Sequence, residues 1–263
     1  MRKNYFGFWL ILFCAFVVFA AVSAADSFSI GFWHPKSSEI IPTLKGESKA
    51  ATSQKIAGAA KKAAQGVAGS PVKLDTASKT ILFIGDSMLE GLSPRLASYA
   101  KRNGHKLYSV IWYSSTSEVW GRSGKLASYI RKLNPDYIFI CLGANELFVS
   151  DIASKRDGFV KQIVKECGNI PFLWIGPPNW KKDTGINDLI ATNVPAGSFF
   201  LSDGMHFERS RDGAHPTRQS AALWMDSVAR WMPAHSNHPI KMVRPADNSG
   251  RPVKIFVHQP SER

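Results

Sequence analysis

Cysteine is scarce in this chain of 263 residues, which holds three. Cys14 lies in an apolar N-terminal run, Cys141 in a predicted strand and Cys167 near a predicted helix end. Three scattered thiols make neither a disulfide framework nor a metal pattern, and nothing in the sequence supports a Cys141–Cys167 bridge. Cys141 reads as a small core residue. The Ile-Leu-Phe before Cys14 lacks the small residue that a lipoprotein cleavage site needs next to its cysteine. No cluster of His, Cys and carboxylate residues has metal-ligand spacing, so no metal and no other cofactor is expected. No internal repeat is visible. Acidic residues are in deficit, with 20 Asp and Glu against 33 Lys and Arg, a formal charge of +13. That sign raises the question of nucleic acid. No aromatic-plus-basic RNA motif or helix-turn-helix signature accompanies it, so no nucleic-acid partner is expected.

Much of the basic excess lies outside the middle of the chain. Residues 44–79 carry seven lysines against Glu47 and Asp75. Such a stretch is ordinarily a solvated linker. The sharper reading is adhesion to an anionic surface, either phospholipid headgroups or acidic polysaccharide. Met1-Arg-Lys is followed by an uncharged run from Asn4 to Ala25, rich in Phe, Leu, Val and Ala, which signals membrane targeting. Val22-Ser23-Ala24 offers the small residues of a signal-peptidase site, but the run is also long enough to span a bilayer. An uncleaved anchor and a cleaved signal peptide therefore compete. Both place the remainder outside the cytoplasm, because Arg2 and Lys3 stay inside. The domain plan is an anchor or signal peptide at 1–25, a basic Ala/Lys-rich linker at 26–79 with a partly helical stretch around 49–65, a folded domain at 80–235 and a surface tail at 236–263.

The folded domain alternates strand and helix. Strands are predicted at 80–84, 106–113, 136–142, 171–175 and 198–202, and helices at 93–103, 124–133, 152–167, 186–193 and 217–232. This alternation predicts an α/β fold, a three-layer α/β/α sandwich around a mostly parallel five-stranded sheet. In the last helix Ala221, Trp224, Met225, Val228, Trp231 and Met232 share one face, and that stripe reads as core packing. In the first helix Ser93 is read as the N-cap, Pro94 as the first helical residue and Gly104 as the C-terminal stop.

The stretch Thr80-Ile-Leu-Phe-Ile-Gly-Asp-Ser87-Met organises the domain. An apolar β-prone run breaks at Gly-Asp-Ser, which puts Ser87 at the carboxyl end of a buried strand, where α/β sheets usually place ligands. An isolated serine there would be a turn residue. As a nucleophile it needs a base, usually a histidine oriented by a third group. Asp212-Gly-Ala-His215-Pro-Thr217 supplies both, since a three-residue spacing lets one loop aim both side chains at one serine. Asp203-Gly-Met-His206 repeats the Asp-x-x-His pattern, but Pro216-Thr217 follows His215 and Thr217 can cap the final helix. His206 is assigned to a loop or to the substrate side.

Between the serine and the histidine lies Gly143-Ala-Asn145-Glu146, directly after another apolar strand. Gly-Asp-Ser, Gly-x-Asn and Asp-x-x-His-Pro-Thr, in this order over roughly residues 80–235, resemble the SGNH hydrolases, also called the GDSL esterase/lipase family. The resemblance implies a serine esterase with Ser87 as nucleophile, His215 as base and Asp212 as the orienting carboxylate. Its oxyanion would be met by the Ser87 backbone N–H, the Asn145 side-chain amide and one more backbone N–H. The family usually takes the last from a glycine after the second strand. Ser115 stands there by position, and Gly121 is the alternative. Glu146 replaces the family's usual Asp after this Asn. Asp86, Asn179 and Trp180 are expected to touch substrate, although a rigid turn with a packed Trp would read the same way at 179–180. Location and resemblance together suggest an O-acetyl ester on a cell-envelope glycan. An O-acyltransferase using the same residues on a glycan acceptor, and a non-catalytic envelope-binding protein, are the alternatives.

Overall fold

The computed structural model describes residues 72–262, so the anchor or signal peptide, most of the linker with its helical stretch, and Cys14 lie outside the described residues. In chain order the elements are β1 (Thr80–Gly85), α1 (Leu89–Asn103), β2 (Lys106–Trp112), α2 (Ser117–Ser123), α3 (Lys125–Leu133), β3 (Tyr137–Cys141), α4 (Ile152–Cys167), β4 (Phe172–Ile175), α5 (Ile186–Asn193), β5 (Phe199–Phe200), α6 (Arg218–His235) and β6 (Lys254–His258). The strands form one sheet in the order β5-β4-β3-β1-β2-β6, and every pairing is parallel.

The three-layer α/β/α expectation holds. Strands β1, β3 and β4 are nearly continuous apolar runs because both of their faces are covered. Ile81 and Phe83 face a core shared with Leu92 and Leu96 of α1 and Trp224 and Met225 of α6. Leu82 and Ile84 point the other way, into a core with Trp120, Leu126, Val160 and Ile190 from α2 to α5. Cys141 and Cys167 are buried and free.

The sheet has six strands rather than five, which corrects the expected count. The sixth comes from the stretch expected to be a surface tail. After α6 the chain runs back along α1, where the Asn103 amide donates to the Val243 carbonyl and the Gly250 N–H donates to Ser98 Oγ at 3.0 Å. A Cβ at Gly250 would sit 2.2 Å from Ser98 N, so only glycine permits this approach. The chain then adds β6 beside β2. Its sequence carries no helical or buried-strand period because β6 is an edge strand with exposed residues.

Helix α1 begins four residues before the predicted start. Ser93 is not an N-cap but a buried residue inside the helix, with its Oγ 2.6 Å from Ser109 Oγ. The Asp86 carboxylate starts the turn by accepting the Met88 N–H at 2.9 Å. Gly104 ends the helix in the left-handed conformation, as expected. Helix α2 is additional to the expected set. Thr116 caps it by accepting the Val119 N–H.

One buried ion pair links α1, α6 and the returning chain. Arg95 donates to Asp226 at 2.7 Å with both side chains 6% exposed, and also to the Asp247 carbonyl and Asn248 Oδ1. Removing one partner of such a pair strands a buried charge. Arg95→Met is expected to lower unfolding stability by about 3 kcal/mol, read as a shift in the urea midpoint.

Candidate active site

The order of the sheet builds the site. The order in which the chain adds strands reverses between β1 and β3, and the turns after these two parallel strands lie side by side at the carboxyl edge, where α/β folds open a crevice. Ser87 leaves β1 there and Asn145 follows β3. Gly85 permits the tight exit, since a Cβ on it would lie 2.2 Å from the Cys141 carbonyl oxygen.

Ser87, His215 and Asp212 are brought together. Ser87 Oγ lies 2.7 Å from His215 Nε2, and His215 Nδ1 lies 2.7 Å from Asp212 Oδ2. A carboxylate only accepts, so Nδ1 carries the proton and Nε2 is free to accept from the serine hydroxyl. Asp212 Oδ1 also accepts the backbone N–H groups of Ala214 and His215. The His215 N–H, the Ala214 N–H and the imidazole hold the Asp212 carboxyl down at about 2. The aspartate therefore stays ionised and fixes both the loop and the ring.

The loop itself is braced. Its ends pair through Ser210 N–H to the His215 carbonyl and Thr217 N–H to the Glu208 carbonyl. Arg209 donates to the Ala214 carbonyl at 2.7 Å and to the Pro178 carbonyl at 2.8 Å, joining the histidine loop to the turn after β4. Nothing in the sequence pointed to Arg209, because its partners are backbone carbonyls far apart in the chain. Thr217 caps α6 as expected, accepting the Ser220 N–H. His206 is exposed and lies outside the cavity at Ser87, so the geometry selects His215.

The Ser87 backbone N–H has no acceptor among the described residues and is available to a developing oxyanion. Asn145 Nδ2 donates to the Ser115 carbonyl at 2.9 Å and, at a longer 3.4 Å, to Asp86 Oδ2. The second contact is weak enough to give way to a stronger acceptor.

Ser115 does not fit the role read from its position. It is buried, and its N–H donates to the Trp112 carbonyl. Its Oγ accepts from Trp120 and its carbonyl accepts from Asn145, so Ser115 supports Asn145 instead. Gly121 is no substitute, being packed on Phe159 within α2. The residue of this turn that lines the cavity is Ser114, left-handed at φ 54°. The left-handed backbone that a glycine would favour is therefore at 114, one residue before the position expected from the sequence.

Asp86 was expected to touch substrate and is instead 1% exposed, with its carboxylate turned onto Met88 and Asn145. Burial raises it to about 7, and nearby Glu146 adds to that rise. Glu146 is also fully buried and accepts the Ser117 N–H at the start of α2, so the glutamate holds α2 to the turn after β3. Asn179 and Trp180 do not line the cavity at Ser87. Asn179 bonds to Asp203, and Trp180 packs edge-on against Phe148, which agrees with the rigid-turn reading.

Ser87, Ser114, Asp212 and His215 open onto a cavity of about 1010 Å³ whose other wall includes Ile111, Arg251, Ile255 and Val257.

No family model matches the chain, and no curated protein does either. Solved structures do. The psychrotrophic esterase EstA from Pseudoalteromonas sp. is 19% identical, with 58% of this chain and 97% of that chain covered and a TM-score of 0.43. TesA is 16% identical over 57% and 95%, with a TM-score of 0.45. A lipolytic protein of the G-D-S-L family from Desulfitobacterium hafniense DCB-2 is 15% identical over 57% and 98%, with a TM-score of 0.43.

The raised Asp86 carboxyl makes a pH prediction. A folded value of about 7 against an ordinary 3.8 means that folding favours the protonated form. Its stabilising effect is complete below the ordinary value and is lost as pH rises through the folded one. Asp86→Asn keeps a carbonyl for Met88 and cannot ionise. The stability difference in favour of the variant is expected to grow across this window, by at most about 4 kcal/mol. Urea denaturation of both proteins at several pH values checks it.

Proposed function

We propose that the protein is a serine esterase that works through an acyl-Ser87 intermediate. The observation that carries this reading is the unbroken relay from Asp212 through His215 to Ser87, with both links at 2.7 Å, opening onto a cavity. A binding protein has no need of a hydroxyl hydrogen-bonded to an imidazole whose other nitrogen is fixed by an ionised carboxylate.

The mechanism follows from the hydrogen bonds. Ser87 Oγ attacks the ester carbonyl while His215 Nε2 takes its proton. Asp212 steadies the imidazolium and keeps the ring in register. Negative charge gathers on the former carbonyl oxygen. The Ser87 N–H receives it, and so does the Asn145 amide as it gives up the long contact to Asp86. His215 then passes the proton to the departing alkoxide, which leaves as the alcohol. Water enters, loses a proton to the same nitrogen and attacks the acyl carbon; the bond to Ser87 Oγ breaks, His215 returns its proton to Oγ, and the acid leaves.

An enzyme facing outside the cytoplasm and acting on an envelope ester is the location and substrate we favour. The Arg2-Lys3 start and the apolar run that follows support the location, and the basic stretch at 44–79 supports an anionic setting. Transfer of the acyl group to a sugar hydroxyl instead of water would use the same residues.

Ser87→Ala in the full chain is expected to cut nitrophenol release from a short-chain nitrophenyl ester by about a thousandfold or more. Circular dichroism should be unchanged. Equal rates in the two proteins would overturn the reading. Arg209 acts through the histidine loop, so Arg209→Leu is expected to lower kcat by about tenfold with less change in KM. Arg209→Lys should restore part of the loss. Slower labelling of Ser87 by a fluorophosphonate would separate mispositioning from a general loss of stability.

A further inference from the structure

Ester cleavage as described above uses nothing from the C-terminal strand, yet β6 forms part of the wall facing Ser87. Its side chains alternate. Phe256 turns to the α3 side, against Tyr129 at 5.0 Å between ring centroids. Ile255 and Val257 line the cavity and remain 47% and 48% exposed. Ile111 and Pro252 line the same space. Two half-open β-branched residues beside a nucleophile form a recognition surface for an apolar chain. A cavity of about 1010 Å³ is far larger than an acetyl group requires.

Cations lie along the same cavity, and its carboxylates are already engaged. Glu90 accepts the Tyr113 hydroxyl, and Asp212 is committed to His215. Arg95 is paired with Asp226, and Arg244 leans on that same carboxylate. Arg218 begins α6, three residues after His215. It is exposed, and its side chain makes no hydrogen bond or ion pair among the described residues. Arg251 donates only to the backbone carbonyls of Asn248 and Gly250. Two guanidinium groups therefore line the cavity without a carboxylate partner among the described residues. Arg218 also lines an adjoining cavity of about 750 Å³ that runs between α6 and the returning chain.

From this pairing of an apolar strand face with two unmatched arginines, we infer that the groove receives an anionic amphiphile. The apolar chain lies over Ile255 and Val257, and a phosphate or carboxylate group is held by Arg218 and Arg251. The inference deepens the esterase reading by naming the class of ester, one joined to an acidic group and carrying an alkyl chain longer than acetyl.

Binding to the full chain carrying Ser87→Ala tests the groove apart from the chemistry. Octyl phosphate, octanoate, inorganic phosphate and octyl glucoside are titrated by calorimetry. At least one of octyl phosphate and octanoate is expected to bind about tenfold or more tightly than both inorganic phosphate and octyl glucoside. The tighter of the two acids identifies the preferred group. Adding Arg218→Gln with Arg251→Gln should remove the preference for acid over glucoside. Adding Ile255→Ser with Val257→Ser should remove the gain from the alkyl chain. All four positions are exposed or half-exposed, and circular dichroism verifies the fold of each variant. Equal affinity for acid and glucoside, no binding of either acid, or folded variants that bind as before would each overturn the inference. Nitrophenyl acetate turnover by the unmutated chain, run alongside, separates this result from the fate of the serine reading.

Discussion

The Asn145 side chain ties together three turns at the carboxyl edge of the sheet. It follows β3, donates to the Ser115 carbonyl after β2 and reaches Asp86 after β1. Each of these turns must leave its strand at the same level for one amide to span them. The parallel register of β1 with both β2 and β3 guarantees that level. The buried Asp86 carboxylate is the inner anchor, because it starts α1 through Met88 and so sets where Ser87 stands. Burying a carboxylate this deeply is costly unless its acceptors are used. Here those acceptors are used, and they fix Ser87 and the neighbouring Asn145 amide together.

The histidine arrives from the far end of the sequence and is fixed differently. Asp212 folds its own loop by accepting two backbone N–H groups before it orients the ring. Arg209 then fastens that loop to the turn after β4. The contact with Ser87 thus depends on two independent restraints, one within the loop and one across the sheet edge. A site built in this way is held in place by the protein's own hydrogen bonds, with no ligand needed to assemble it.

The sixth strand changes what the site can reach. Without β6, β2 would be the sheet edge. With it, the serine faces a walled cavity with an apolar strand face and arginine side chains along it. The returning chain is held by Gly250 against α1 and by Arg95 from within. The same ion-paired cluster that stabilises the α1–α6 layer therefore also positions the wall of the cavity.

Several features were determined by the sequence alone, because they rest on local patterns. Apolar runs at β1, β3 and β4 announced buried parallel strands. The spacing from Asp212 to His215 was readable because one turn places both side chains, and Thr217 was readable as a cap for the same reason. Other features were decided only by the tertiary structure. The β6 strand has no period of its own and exists because β2 offers an unpaired edge. Whether the first or the second Asp-x-x-His reaches Ser87 depended on how the loop after β5 is folded. The N–H of Ser115 was lost to Trp112 through a turn whose left-handed residue, Ser114, no composition reveals. Asp86 sat next to Ser87 in sequence but turned inward, since successive residues leaving a strand point to opposite sides. Arg209, Arg218 and Arg251 looked like ordinary surface charge until the fold brought carbonyls to the first and a cavity to the other two.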